Sequence, residues 1–161
     1  MNNNKKEISD ESRKTNYQVR ELEKKDLEPV FGFLKTLSDL AEVGNLSQEK
    51  TEEVLEIINA QGSRIFIAVS DEGQIIGSLT LMLEQKFLRS GKIAGHIEDV
   101  VTRKGYEGLG IASTLMKKAT ETARESGCYK LILDCEEGLV SFYEKFNFKK
   151  QGVFMKIYLR D

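Results

Sequence analysis

Glu98-Asp99-Val100-Val101-Thr102-Arg103-Lys104-Gly105-Tyr106-Glu107-Gly108-Leu109-Gly110-Ile111-Ala112 is the stretch that decides the fold. It begins as a strand, passes through a glycine-rich turn and opens straight into a helix. The first N–H groups of a helix have no partner within it and carry the positive end of its dipole. Small residues there, as at Gly108, Gly110 and Ala112, let a phosphate reach the backbone. A pyrophosphate-bearing cofactor is one reading of this turn. A turn that merely needs flexible backbone is the other, because short glycine patterns are weak signals. No Gly-Lys-Ser/Thr follows, which excludes a P-loop. Other strands precede this one, so it does not open a dinucleotide-binding βαβ unit.

Downstream, Ile111, Leu115, Ala119 and Ala123 recur every four residues and predict a long amphipathic helix ended by Gly127. Tyr129–Cys135 reads as a nearly continuous apolar strand, expected to be covered on both faces. Gly138–Phe146 reads as a short helix and Val153–Leu159 as a last strand. Upstream, His96–Thr102 is a strand, Phe87–Ala94 a loop, and Gln74–Glu84 and Arg64–Ser70 two strands around an Asp71-Glu72-Gly73 turn. Ser47 begins a helix that Gly62 ends, with Val54, Leu55 and Ile58 on its apolar face. Before it, Asp26 is read as the N-cap of a helix carrying Val30, Phe33, Leu34, Leu37 and Leu40, with Pro29 in its first turn. Tyr17–Leu22 alternates as a strand. Residues 1–15 are polar, without an apolar period, and are expected to be a disordered tail. The expected fold is thus one α/β domain over residues 16–161, with a mixed, mostly antiparallel sheet flanked by helices.

Composition narrows the function. Lys plus Arg number 24 and Asp plus Glu 26, a formal charge of −2. That balance gives no reason to expect nucleic acid or an anionic membrane surface. No apolar run reaches membrane-span length and no apolar signal core is present, so the expected compartment is cytoplasmic. Cys128 and Cys135 would lie roughly 20 Å apart along a strand, whereas a disulfide needs Cα atoms within about 7 Å. Two cysteines and the single His96, without ligand spacing, also argue against a structural metal.

Glu107-Gly108-Leu109-Gly110-Ile111-Ala112 resembles the Gln/Arg-x-x-Gly-x-Gly/Ala loop of the GNAT N-acetyltransferases. Phe142-Tyr143-Glu144-Lys145-Phe146-Asn147-Phe148 resembles that family's Phe-Tyr-x-x-x-Gly-Phe segment. Glu84-Gln85-Lys86-Phe87, Gly95–Val100 and Gly127–Cys135 are similar to the glucosamine 6-phosphate N-acetyltransferase branch of that family. The resemblance runs from about Tyr17 to the C-terminus. It implies acetyl-CoA as cosubstrate, glucosamine 6-phosphate as acceptor and a homodimer whose C-terminal strand helps build the neighbouring site. Acetyl-CoA would be held by Val100, Val101, Thr102, Glu107, Gly108, Leu109, Gly110, Ile111 and Ala112. Tyr143, Glu144 and Lys145 would line its thioester end. Lys86, Phe87, Leu88, Arg89, Glu98, Asp99, Tyr129, Lys130 and Arg160 would contact the sugar phosphate. The chain departs from the family pattern at several places. Glu107 replaces Gln or Arg, Asn147 replaces Gly, Ala41 replaces Thr, Arg89 replaces His and Tyr158 replaces Arg. Asn tolerates the left-handed backbone such a position needs. Arg160, two residues on and on the same face, could supply the cation that Tyr158 does not.

Amide formation needs a neutral amine, a stabilised oxyanion and a protonated leaving thiolate. A backbone N–H near Val100 could donate to the oxyanion. Tyr143 is the candidate proton donor, its alternative being a place in the apolar stripe of its helix. Asp134 is the candidate acceptor of the ammonium proton, because an Asp in an apolar strand is costly without partners. Its alternative is a strand-end Asp satisfied by loop amides. Asp99 or Glu98 could meet the amine, but adjacent strand residues face opposite ways, so only a bulge lets both serve one site. Cys135 reads as a small buried hydrophobe in preference to an acyl carrier. His96 reads equally as a strand residue or a base. The rival functions are the same fold acting on another amine, a non-catalytic acyl-CoA sensor and a structural dimerisation module. The last of these needs no glycine loop.

Overall fold

Arg64–Ser70 and Ile75–Gln85 are rich in β-branched and aliphatic residues, and they form the two central strands β2 and β3. A tight turn joins them, closed by Ser70 N–H to the Gln74 carbonyl at 2.8 Å. The computed structural model describes residues 15–159. All of the expected tail except Thr15, together with Arg160, lies outside that range. Strand β1 (Tyr17–Glu21) pairs with β2, and β4 (Ile93–Thr102) pairs with β3, all antiparallel. Helix α4 (Ile111–Glu125) crosses back to β5 (Cys128–Ile132), which therefore runs parallel to β4. The sheet order is β1-β2-β3-β4-β5, mostly antiparallel, as expected. Among the described residues no helix is long and apolar enough to cross a membrane.

Each face of the sheet has its own core. Ile111, Leu115, Met116, Ala119 and Ala123 of α4 bury against Phe66, Ala68, Leu79, Leu81 and Ile97. This is the four-residue stripe read from the sequence, and each large side chain in it contributes about 1.5–3 kcal/mol. On the other face Phe33 of α1 (Phe33–Leu37) and Leu55 of α2 (Gln48–Ala60) pack on Ile65, Ile67 and Ile75. Ser47 caps α2 by accepting from Lys50 N–H at 3.2 Å, as its residue type requires. This second core rests on β2 and β3, and α1 also reaches β4; none of its residues comes from β5.

Four expectations need correction. The first helix is broken: 3₁₀ turns Lys24–Leu27 and Pro29–Phe31 precede a five-residue α1. Pro29 and the left-handed Gly32 (φ 75°) interrupt the stripe, leaving Val30 and Leu40 exposed. Asp26 is no α-helical N-cap. It is buried, accepts from Glu23 N–H at 2.8 Å and takes two hydrogen bonds from Arg20 at 2.6 and 2.7 Å. Strand β4 starts at Ile93 and β5 ends at Ile132, and the segment expected as a loop contains a left-handed turn, α3 (Leu88–Gly91), with positive φ at Arg89 and Ser90. Finally, β5 is not covered on both faces and Val153–Leu159 is not a strand. Ile132 is exposed, and so are Val153, Phe154, Met155, Ile157, Tyr158 and Leu159. A strand needs a neighbour to pair with, and this segment has none among the described residues.

Candidate active site

The glycine-rich turn divides its backbone donors into two groups. Arg103 N–H goes to the Ile76 carbonyl, Lys104 N–H to Asp39 Oδ2 at 2.9 Å, Gly105 N–H to Glu107 Oε2 at 2.7 Å, and Tyr106 N–H to the Arg103 carbonyl. From Glu107 to Ser113 no N–H finds an acceptor among the described residues, and the next bond is Thr114 N–H to the Gly110 carbonyl. These free donors run along the turn into the first residues of α4. Gly108 and Gly110 are exposed with φ of 79° and 77°, the left-handed conformation that favours glycine. The residues present therefore fit a pyrophosphate. Glu107, the departure from the family loop, turns its carboxylate back onto Gly105 N–H.

Next to this turn the sheet opens. Pairing of β4 with β5 runs from Ile93–Cys128 to His96–Ile132 and then stops, while β4 continues to Thr102. Gly95 brings the strands together below the opening, since a Cβ there would lie 2.4 Å from Leu131 Cδ2. On its other side β4 bulges: Thr80 pairs with Glu98 and Ser78 with Val101, so Asp99 and Val100 together face Leu79. Asp99 takes φ 51° to do so. A bulge is what joint service of Glu98 and Asp99 at one site would require.

Charge gathers at the opening. Glu98 is half-buried and its pKa is raised, chiefly by burial and then by Asp134 and Asp99. Tyr143, on α5 (Val140–Glu144), is buried, and burial, then Cys135 and Asp134, push its phenol up. Its ring packs edge-on against Phe142 and Phe148, with centroids 5.0 and 6.2 Å away. The ring thus takes its place in the apolar stripe of its helix, and its hydroxyl makes no hydrogen bond among the described residues. Asp134 and Cys135 are exposed beyond the end of β5, so the expected burial of both is corrected. The strand stops short of them, and they belong to the segment leading to α5.

The cations expected on the sugar phosphate lie at the other end of the same face. Register places Glu84, Ala94 and Lys130 in one row across β3, β4 and β5. Lys86 pairs with Glu84, which also meets His96 Nε2 at 2.9 Å. Those two partners hold the Glu84 carboxyl below its usual range. Lys130 lies over the Tyr129 ring, 5.6 Å from its centroid. Phe87, Leu88 and Arg89 are exposed at the tip of the β3–β4 turn, and Glu144 and Lys145 are exposed at the end of α5. Val101 is buried, so it offers the opening only its backbone; Val100, Thr102 and Ala112 are half-buried. Asn147 adopts φ 66°, the conformation its residue type tolerates.

Sequence reading gave no role at the site to Asp39, Glu84, Tyr17 or Thr114. Asp39 tethers the start of the glycine turn from 65 residues away, and the Tyr17 hydroxyl reaches Leu109 and Thr114. No local pattern marks such contacts. An open groove of about 990 Å³ follows the outer side of β5 from Arg124 to Phe154, and Tyr129, Lys130, Asp134, Tyr143 and Glu144 of the expected site line it.

Residues 19–148 match the Acetyltransferase (GNAT) family. The chain is 36% identical over 146 residues to the probable glucosamine 6-phosphate N-acetyltransferase 2 of Oryza sativa subsp. japonica, covering 88% of this chain and 87% of that protein. It is 35% identical over 142 residues to the glucosamine 6-phosphate N-acetyltransferase of Trypanosoma brucei brucei, covering 87% and 94%. The crystal structure of glucosamine-6-phosphate N-acetyltransferase from Arabidopsis thaliana superposes with a TM-score of 0.85 at 30% identity, covering 90% of this chain and 99% of that one.

Proposed function

The chain belongs to the acetyltransferase (GNAT) family, and from that premise we propose that it moves the acetyl group of acetyl-CoA to the amine of glucosamine 6-phosphate. The observation that carries this reading is a convergence. Free backbone donors of Glu107–Ser113 stand at the mouth of an opening whose walls bear Glu98, Asp134 and the Tyr143 hydroxyl. Acetyl-CoA supplies an activated acyl carbon as its thioester. Backbone amides of Glu107–Ala112 would hold the pyrophosphate, and Val100, Val101 and Thr102 would offer unpaired strand backbone to the pantetheine arm. Glu144 and Lys145 flank the thioester end.

Glu98, whose carboxyl burial holds above its ordinary range, is the candidate base. It would take a proton from the bound ammonium while Asp134 and Asp99 add negative charge that favours an amine cation. The freed nitrogen attacks the carbonyl carbon, the C–N bond forms, the C–S bond breaks, and the nitrogen gives up its second proton to replace the one that Tyr143 supplies. Tyr143, kept protonated by burial, gives its proton to the departing sulfur. Lys86, Arg89 and Lys130 would hold the sugar phosphate, with Phe87, Leu88 and Tyr129 beside the ring and Arg160, outside the described residues, as a further candidate cation.

The reading includes a homodimer. Val153–Leu159 is apolar and exposed, and the outer edge of β5 has no strand beside it, which supports pairing with a second copy. Free thiols at Cys128 and Cys135 fit a reducing, cytoplasmic compartment. The test is acetyl-CoA-dependent thiol release with glucosamine 6-phosphate, glucosamine and spermidine. Release only with the phosphorylated sugar is expected. Turnover of another amine instead overturns the acceptor. Binding of CoA without release for any amine would leave a sensor.

A further inference from the structure

The glycine turn is braced from beneath by a residue at the start of β1. The Tyr17 hydroxyl lies 3.3 Å from the Leu109 carbonyl and 2.9 Å from Thr114 Oγ1, and Thr114 Oγ1 lies 3.1 Å from the Gly110 carbonyl. Two hydroxyls hold two protons, so two of these three contacts can be made at once. Tyr17 can donate to Leu109 while Thr114 donates to Tyr17 or to Gly110, or Tyr17 can donate to Thr114 while Thr114 donates to Gly110. Every arrangement keeps a carbonyl of the turn on the inner side.

A trans peptide unit is planar, and its C=O and N–H point opposite ways. Turning the Leu109 carbonyl toward Tyr17 therefore turns Gly110 N–H outward, into the row of free donors. Without the phenol, the Leu109 carbonyl has no hydrogen-bond donor among the described residues. Gly110, at φ 77°, forms one end of that peptide, and glycine resists peptide rotation least. A Cβ on Gly110 would lie 3.8 Å from the Tyr17 hydroxyl, so the phenol sits directly under the turn.

We propose that Tyr17, acting with Thr114, is a positioning residue that holds the Gly110 N–H toward the pyrophosphate of the cosubstrate. This rests on the acetyl-CoA reading above. Neither side chain meets the reacting atoms. Their effect falls on phosphate binding and leaves the chemical step alone. The Tyr17 ring packs on the α4-side core, so Tyr17→Phe removes the hydroxyl and keeps the packing.

The test is made on the full chain. Calorimetric titration with CoA should weaken about five- to tenfold in Tyr17→Phe, the loss expected for one net hydrogen bond. KM for acetyl-CoA should rise by the same factor, with kcat and KM for glucosamine 6-phosphate within about twofold of the parent. KM for S-acetylpantetheine, which lacks the pyrophosphate, should not change. Thr114→Val should act in the same direction, Thr114→Ser should restore binding, and the double variant Tyr17→Phe/Thr114→Val should add little to either single one. Unchanged CoA binding in Tyr17→Phe would overturn the proposal. So would an equal loss with S-acetylpantetheine, which marks general damage. Failure of the parent chain to bind CoA would instead bring down the cosubstrate reading itself, and the brace with it.

Discussion

Strands β2 and β5 have similar compositions and opposite fates. Ile-Phe-Ile-Ala of β2 is almost wholly inaccessible, whereas β5 leaves Ile132 exposed and breaks off before the apolar run ends. The difference lies in their neighbours. Strand β2 pairs on both sides and has a helical layer on each face; β5 pairs on one side, for a few residues, and has α4 on one face. Apolar content makes a strand able to be buried, but pairing partners decide whether it is. The open end is also where free amides, a raised carboxyl and a raised phenol gather, features that cost stability at a closed end and serve binding at an open one.

This contrast can be broken from either side. The largest effect is expected from Tyr143→Phe. With the ring retained, kcat should fall about 10²-fold or more while KM for acetyl-CoA and the unfolding midpoint stay near the parent values. A normal kcat would return Tyr143 to the core stripe alone.

The closed end should answer in stability. Asp26→Ala strips the partner from Arg20, whose head is partly exposed, so the cost should be about 2–3 kcal/mol, below the roughly 3–5 of a fully buried pair. Urea unfolding measures it, and kcat on the folded chain should hold. Burial pushes the Asp26 carboxyl up, but hydrogen bonds from Arg20 and Glu23 N–H, with the Arg20 charge, outweigh it and hold the pKa low. That contribution is present above the unfolded carboxyl pKa and is lost as pH falls through the depressed one. The variant should therefore lose the corresponding acid-side slope.

Glu98→Gln should lower kcat/KM about tenfold or more and remove the acid limb of its pH profile. Because the Glu98 pKa is raised, that limb in the parent should begin above the range of an ordinary Glu. The stability sign is opposite to that of Asp26. A raised carboxyl favours the fold below its unfolded pKa and loses that as pH rises, so Glu98→Gln should unfold at slightly higher urea at neutral pH. A variant that is both inactive and less stable would count against this trade. The smallest effect is expected from Glu107→Gln. Withdrawing a carboxylate from beside the free amides should tighten CoA binding about two- to fivefold, more at low salt. Weaker binding would show that the Glu107 carboxylate shapes the turn more than it opposes phosphate.

Much of the closed end could be read directly. β2 was bounded correctly, α4 carries its stripe where the four-residue spacing puts it, and Ser47 and Gly127 mark helix ends. The first helix misled because its stripe was counted across Pro29 and Gly32, where backbone chemistry overrides periodicity. At the site, the glycine turn and Tyr143 were legible as types of residue in a pattern. The burial of Asp134 and Cys135 was misread, because it assumed that the β5 ladder continues as far as the apolar residues do.

By itself the sequence determined what the backbone repeats locally: the helical stripe of α4, the alternation of the central strands, the family loop from Glu107 to Ala112 and the left-handed Asn147. Those follow from the periods of helix and strand and from the sterics of single residues. Only the tertiary structure decided the bulge at Asp99, the parting of β4 from β5, the tether from Asp39 and the Tyr17–Thr114 brace 97 residues apart in the chain. Each depends on strand register and on which surfaces come to lie together, and residues that meet across such distances leave no mark on their neighbours in sequence.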